Sequence, residues 1–141
     1  MNALSNIDDL IDQPPRVAAW RRVLDRALDG IAPVIDASRP FVAGIENLPR
    51  DGRFLLVGNH TQTGMAEAWL TSLVVRRAIG TRVRPLAVRD VARMPGPVAD
   101  LAAAYGAVVG SPENARELMA HNETVLVFPG GGREIGKFKG E

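Results

Sequence analysis

Apolar residues recur at helical spacing from Val17 through Trp20, Leu24, Ala27, Leu28 and Ile31, while Arg21, Arg22, Asp25, Arg26 and Asp29 fall on the other side. That period predicts an amphipathic helix, following a polar stretch closed by Pro14 and Pro15. Mixed charge on its outer face favours packing on a core over lying in a membrane surface. Beyond it the pattern changes to short apolar runs. "PFVAGIENLP" (40–49) reads as a short strand and turn, and "GRFLLVGNH" (52–60) as a buried strand that ends in Gly58, Asn59 and His60. "GMAEAWLTSLVVRRAIG" is helical with a glycine stop, "RVRPLAV" is a strand, and "RMPGP" breaks the chain before a short helix in "VADLAAAYG". "AVVG" and "TVLVF" are strands on either side of a helix whose start is well marked, by Ser111 as cap, Pro112 in the first position and Glu113 in the first turn.

Strands that are apolar throughout and alternate with helices indicate an α/β fold with a largely parallel sheet flanked by helices. The 141 residues are enough for one such domain, and 46% hydrophobic with 23% charged residues is ordinary globular composition. We divide the chain into a helical lead-in over residues 1–39 and a domain over 40–141. The absence of cysteine excludes disulfides, thiolate catalysis and zinc-thiolate sites, and no metal site is expected. A net charge of +1 argues against a nucleic-acid partner, yet the charge is uneven: residues 76–93 hold six arginines against Asp90 alone. Such a cluster suits phosphates or anionic headgroups, or is simply a solvated surface. The acidic start "MNALSNIDDLIDQPP" lacks the basic and apolar regions of a secretory signal, and no run reaches the roughly 18 apolar residues of a spanning helix. Both predict a cytoplasmic protein whose membrane contact, at the inner face, is peripheral.

In open α/β sheets ligands bind beyond the carboxyl ends of strands, and two strand ends here carry unusual residues: "GNHTQTG" and "PGGGRE". His60 stands between a strand and a helix among small polar neighbours. His121, by contrast, lies at a helix end, where the dipole accounts for it. Three glycines before Arg133 allow close backbone approach and free N–H groups for an oxyanion or phosphate. Gly131, Gly136 and Lys137 also fit most of a nucleotide-binding P-loop, but Phe138 stands where its hydroxyl belongs, which leaves a phosphate- or nucleotide-binding module at 125–137 as a lesser alternative.

At these two strand ends the sequence resembles a family. "VGNHTQTGMAEA" is similar to the first block of the glycerolipid and phospholipid acyltransferases, the lysophosphatidic acid acyltransferase-like superfamily. "AYGAVVGSPENARELMAHNETVLVFPGGGRE" is similar to the second and third blocks, and "FPGGGRE" is nearest the diacylglycerol acyltransferase-like and phytyl ester synthase-like branch. The resemblance implies acyl transfer from a thioester, acyl-CoA or acyl carrier protein, to a hydroxyl of a glycerolipid or lipid alcohol, with no bound cofactor. His60 would be the general base, and imidazoles titrate near neutral pH as that task requires. Asn59, Gly130, Gly131, Gly132, Arg133 and Arg116 would contact substrate.

Two departures from the family pattern matter. The common first block is H-x-x-x-x-D, with the carboxylate orienting the imidazole, but Met65 occupies the acidic position and Glu67 is the nearest acid downstream. On one continuous helix, His60 and Glu67 would stand about 10.5 Å apart along the axis, so Glu67 reaches His60 only if His60 lies in a loop and the helix starts near Gly64. Family members also continue past the third block, so the chain is expected to be incomplete at its C-terminus. A non-catalytic lipid- or acyl-binding remnant of the fold is therefore a second expectation beside the enzyme.

Overall fold

The computed structural model describes residues 11–38, 40–51, 53–60 and 65–131, apart from the side chains at 65, 91 and 92. Helix α1 (Pro15–Ala37) begins where Pro15 takes the first helical position, with the Val17 and Ala18 amides bonded to the Pro14 carbonyl. It runs past Ile31 and through Pro33, which cannot donate to the preceding turn but does not stop the helix. Strand β1 (Leu55–Val57) is followed in the chain by α2 (Met65–Ile79), which ends at Gly80 with φ +73°. Strand β2 (Val83–Ala87) and a 3-10 turn (Arg89–Arg93) precede α3 (Gly96–Tyr105), β3 (Val108–Val109), α4 (Pro112–Ala120) and β4 (Thr124–Val127).

All strand pairs are parallel, in the order β1-β4-β2-β3, so the fold is α/β with a parallel sheet. Register partners in a parallel ladder share a face, which sorts the side chains into two layers. Leu56 and Pro85 align with Leu126, and on that face Val75 of α2, Val83 and Leu126 form one core cluster, with Leu56 and Phe128 packed against it. Val125 and Val108 face the other side and pack with Val17 of α1, Ala99 and Ala103 of α3, and Leu118 of α4. Val17, Val108, Leu118 and Val125, all fully buried there, contribute about 1.5–3 kcal/mol each.

Two sequence expectations fail locally. Residues 40–49 form no strand: Phe41 is 95% exposed, and Gly44, at φ +80°, opens a 3-10 turn at Ile45–Asn47. Pro40 and Pro49 remove ladder donors at both ends of that segment. Strand β1 is not buried on both faces either, because Leu55 and Val57 lie on a side that no helix among the described residues covers at this sheet edge. The arginines of 76–93 are also mostly engaged within the chain. Arg76 pairs with Asp25 and Arg77 with Asp36, tying α2 to α1, while Arg93 pairs with Asp90. Arg82 donates to carbonyls of α3, and Arg84 is fully buried on Gly106 and Glu123.

The start of α4 follows from its sequence. The Ser111 hydroxyl accepts from the Asn114 amide at 3.0 Å, and Pro112 sits in the first turn. The backbone amide of Glu113, then the Ser111 hydroxyl, hold the Glu113 carboxyl below the ordinary carboxylate range. A depressed folded pKa gives a contribution that is complete at neutral pH and is lost as pH falls through the folded value. Ser111→Ala is expected to lower unfolding stability in urea by about 1 kcal/mol at neutral pH, with a smaller loss in acid.

Candidate active site

Strands β1 and β4 are register neighbours, so their exits are side by side. The Gly58 amide extends the ladder by donating to the Val127 carbonyl at 3.1 Å, and Asn59 and His60 follow beyond the sheet. From β4 the chain leaves through Phe128 into a turn at Pro129–Gly131, where the Gly131 amide donates to the Phe128 carbonyl at 2.9 Å. The two exits meet through their rings: His60 stacks on Phe128 with centroids 4.7 Å apart and planes 17° from parallel.

Helix α2 supplies the third group. It begins at Met65, which leaves His60 in the preceding loop and puts Glu67 in the first turn. Glu67 Oε2 lies 2.7 Å from His60 Nδ1, with both side chains under one-fifth exposed. An ionised carboxylate only accepts, so Nδ1 carries the proton of this bond; in a neutral imidazole Nε2 is then the basic nitrogen. The bond fixes both tautomer and ring plane, and a carboxylate placed there stabilises the ring when it takes a second proton. Chemically, the arrangement is an oriented proton acceptor at the carboxyl edge of a parallel sheet.

Of the other sequence candidates, Asn59 is exposed immediately before His60, and Gly130 and Gly131 line the turn beyond the stacked Phe128. Gly132 and Arg133 lie outside the described residues, as do 132–137 of the phosphate-loop alternative. Arg116 is on the exposed side of α4, one turn from Glu113. Phe128 and Gly58 were not anticipated. Phe128 reads as the last residue of an apolar run, and nothing in a strand pattern says that it leaves the sheet to face an imidazole. At Gly58, a methyl group would come within 3.0 Å of Phe128 Cε1, so the small residue is what lets this ring seat. Gly58→Ala is expected to displace Phe128 and with it His60, lowering any His60-dependent turnover by up to about 10²-fold, the scale of an ångström-sized misplacement. Stopped turnover assays beside a urea melt separate this from unfolding.

Comparison with known proteins adds an independent line. Uncharacterized proteins of Mycobacterium bovis and Mycobacterium tuberculosis are 32% identical to this chain over 98 residues, a stretch that covers 68% of it and 27% of each relative. The chain thus matches about a quarter of the length of these curated relatives. No solved structure matches. Residues 39–137, which include both strand exits and all of β1 to β4, match the family described as Acyltransferase, and the chain belongs to that family, within the glycerolipid and lysophosphatidic acid acyltransferase superfamily.

Proposed function

We propose that the chain carries the proton-transfer site of an enzyme that moves a fatty acyl group from a thioester to a hydroxyl of a glycerolipid or lipid alcohol. The observation that carries the reading is the 2.7 Å bond from His60 Nδ1 to Glu67, made where β1 and β4 leave the sheet. In this reading His60 Nε2 takes the hydroxyl proton as the oxygen attacks the thioester carbonyl. The carbon–sulfur bond then breaks, and the thiolate recovers the proton from the imidazolium that Glu67 stabilises. No acyl-enzyme is required, in keeping with a chain that has neither cysteine nor a G-x-S-x-G elbow.

The donor is acyl-CoA or an acyl carrier protein thioester, and no resident cofactor takes part. Asn59, Gly130, Gly131, Gly132, Arg133 and Arg116 are the proposed substrate contacts. Gly130 stands where many superfamily members carry an acid, which favours the diacylglycerol acyltransferase-like and phytyl ester synthase-like branch and a neutral alcohol acceptor. No helix among the described residues is long and apolar enough to cross a membrane. Exposed Phe41, Val42 and Ile45 near the start of the matched region suit peripheral contact with a lipid surface, from which the acceptor would come.

Incubating the purified 141-residue chain with acyl-CoA and a mixed panel of lysophospholipids, diacylglycerol and long-chain alcohols tests the reading by mass spectrometry of products. A His60-dependent ester supports it and names the acceptor. A folded protein that binds acyl chains but yields no ester supports the binding-only alternative instead.

A further inference from the structure

A cavity of about 130 Å³ lies away from His60, bounded by α1, α2 and the end of α3 and floored by the residues that lead into the amino end of β2. Arg21, Arg76 and Arg82 line it against a single acid, Asp25, and Asp25 is already paired with Arg76. Arg82 Nη2 donates to the carbonyls of Ala103 and Ala104, at 3.2 and 3.3 Å. Arg21, at the exposed side, makes no hydrogen bond or ion pair among the described residues.

Tyr105 lines the same cavity, and its hydroxyl is shielded from solvent with no well-formed hydrogen bond among the described residues, although the Ser72 hydroxyl lies close enough to act on it. Burial pushes this phenol up to about 12, and the Ser72 hydroxyl offsets that only in part. Burial first, then Arg84 and Arg21, press Arg82 down to about 9. Positive charge has been gathered here in excess of the acids that line the cavity, beside a phenol hydroxyl whose hydrogen bonding is incomplete. Buried cations and polar groups that are only partly compensated are costly, so an arrangement of this kind is stabilised by a bound anion. The rest of the wall is apolar: Trp69 and leucines of α1 and α2.

We propose that this cavity binds a short-chain carboxylate, its headgroup held by Arg21, Arg82 and the Tyr105 hydroxyl and its alkyl tail against Trp69. The site is distinct from the His60 region: Tyr105 ends α3 at the amino side of β3, whereas Gly110, just past β3, bonds to the Ala87 carbonyl at the carboxyl end of β2. The small volume admits a head and a few methylenes, not a long acyl chain.

Trp20→Phe leaves Trp69 as the sole tryptophan, and its fluorescence reports the cavity directly. Titration with hexanoate is expected to give a saturable change, with hexanol and inorganic phosphate each at least about tenfold weaker, the size of one charge-assisted hydrogen bond. Arg21→Gln, at an exposed position, is expected to weaken hexanoate several-fold with the circular dichroism unchanged. Tyr105→Phe is expected to weaken it a few-fold. The proposal is overturned by a folded protein that gives no saturable response, by hexanol or phosphate binding as well as hexanoate, or by Arg21→Gln without effect.

Discussion

Replacing His60 with alanine is expected to lower ester formation by about 10²–10⁴-fold, the usual contribution of a positioned general base. The fold should survive, because the ring sits after β1 outside any helix or strand and stacks on Phe128, which belongs to the next strand exit and not to the centre of either core cluster. Glu67→Gln is the sharper companion. Its side-chain oxygen can still accept from Nδ1, so ring orientation is kept, but the negative charge that stabilises the imidazolium is gone. That variant is expected to lower kcat by about 10- to 100-fold, less than His60→Ala, and to leave KM unchanged, since charge here matters only when the ring is doubly protonated. Steady-state kinetics on the product identified by mass spectrometry decide the point. Full activity in Glu67→Gln would reduce the 2.7 Å bond to packing, and full activity in His60→Ala would remove the imidazole from the mechanism altogether.

The order of elements was legible in the sequence because each had a local cause. Ser111 and Pro112 set the start of α4, Gly80 and Gly106 stop α2 and α3, and the apolar runs at Leu55, Val83 and Thr124 begin strands. What failed depended on neighbours. Residues 40–49 have strand-like composition but pair with no strand among the described residues, and the apolar run at 54–57 cannot reveal that β1 lies at the edge of the four-stranded sheet. In the candidate site the same division holds. His60 and Glu67 could be named from type and spacing, but whether they meet depends on where α2 begins, and a difference of a few residues separates a hydrogen bond from two groups a helix-length apart. Phe128 enters through register alone, since only the pairing of β1 with β4 brings "GNH" beside "VFPG". The arginines show the reverse error. Read as a cluster they suggest a charged surface, whereas pleating sends Arg82 and Arg84 inward and helical periodicity turns Arg76 and Arg77 toward the acids of α1.

Arg84 sets the second large expectation, on stability. Its side chain is fully buried on a central strand, with Nε donating to the Gly106 carbonyl at 3.0 Å and Nη1 to Glu123 at 3.2 Å. Burial is the main influence lowering its pKa and Glu123 the main one opposing it, and since a guanidinium stays charged, the carboxylate compensates a buried cation. Glu123→Ala is therefore expected to cost about 3 kcal/mol, the lower end for breaking a buried pair, because Glu123 itself is partly exposed. Arg84→Met should cost less, about 1–2 kcal/mol: it removes the buried charge, leaves Glu123 able to turn toward water, and forfeits neutral bonds such as that to Gly106. The double variant separates the terms. If pairing with a buried cation is what Glu123 provides, Glu123→Ala made in the Arg84→Met background should cost under about 1 kcal/mol in urea unfolding. Should it cost the same in both backgrounds, the carboxylate acts through something other than Arg84. If instead Arg84→Met is the more damaging single change, the hydrogen bond that anchors the end of α3 to β2 outweighs the electrostatics, and the arginine is held in the core by geometry more than by charge.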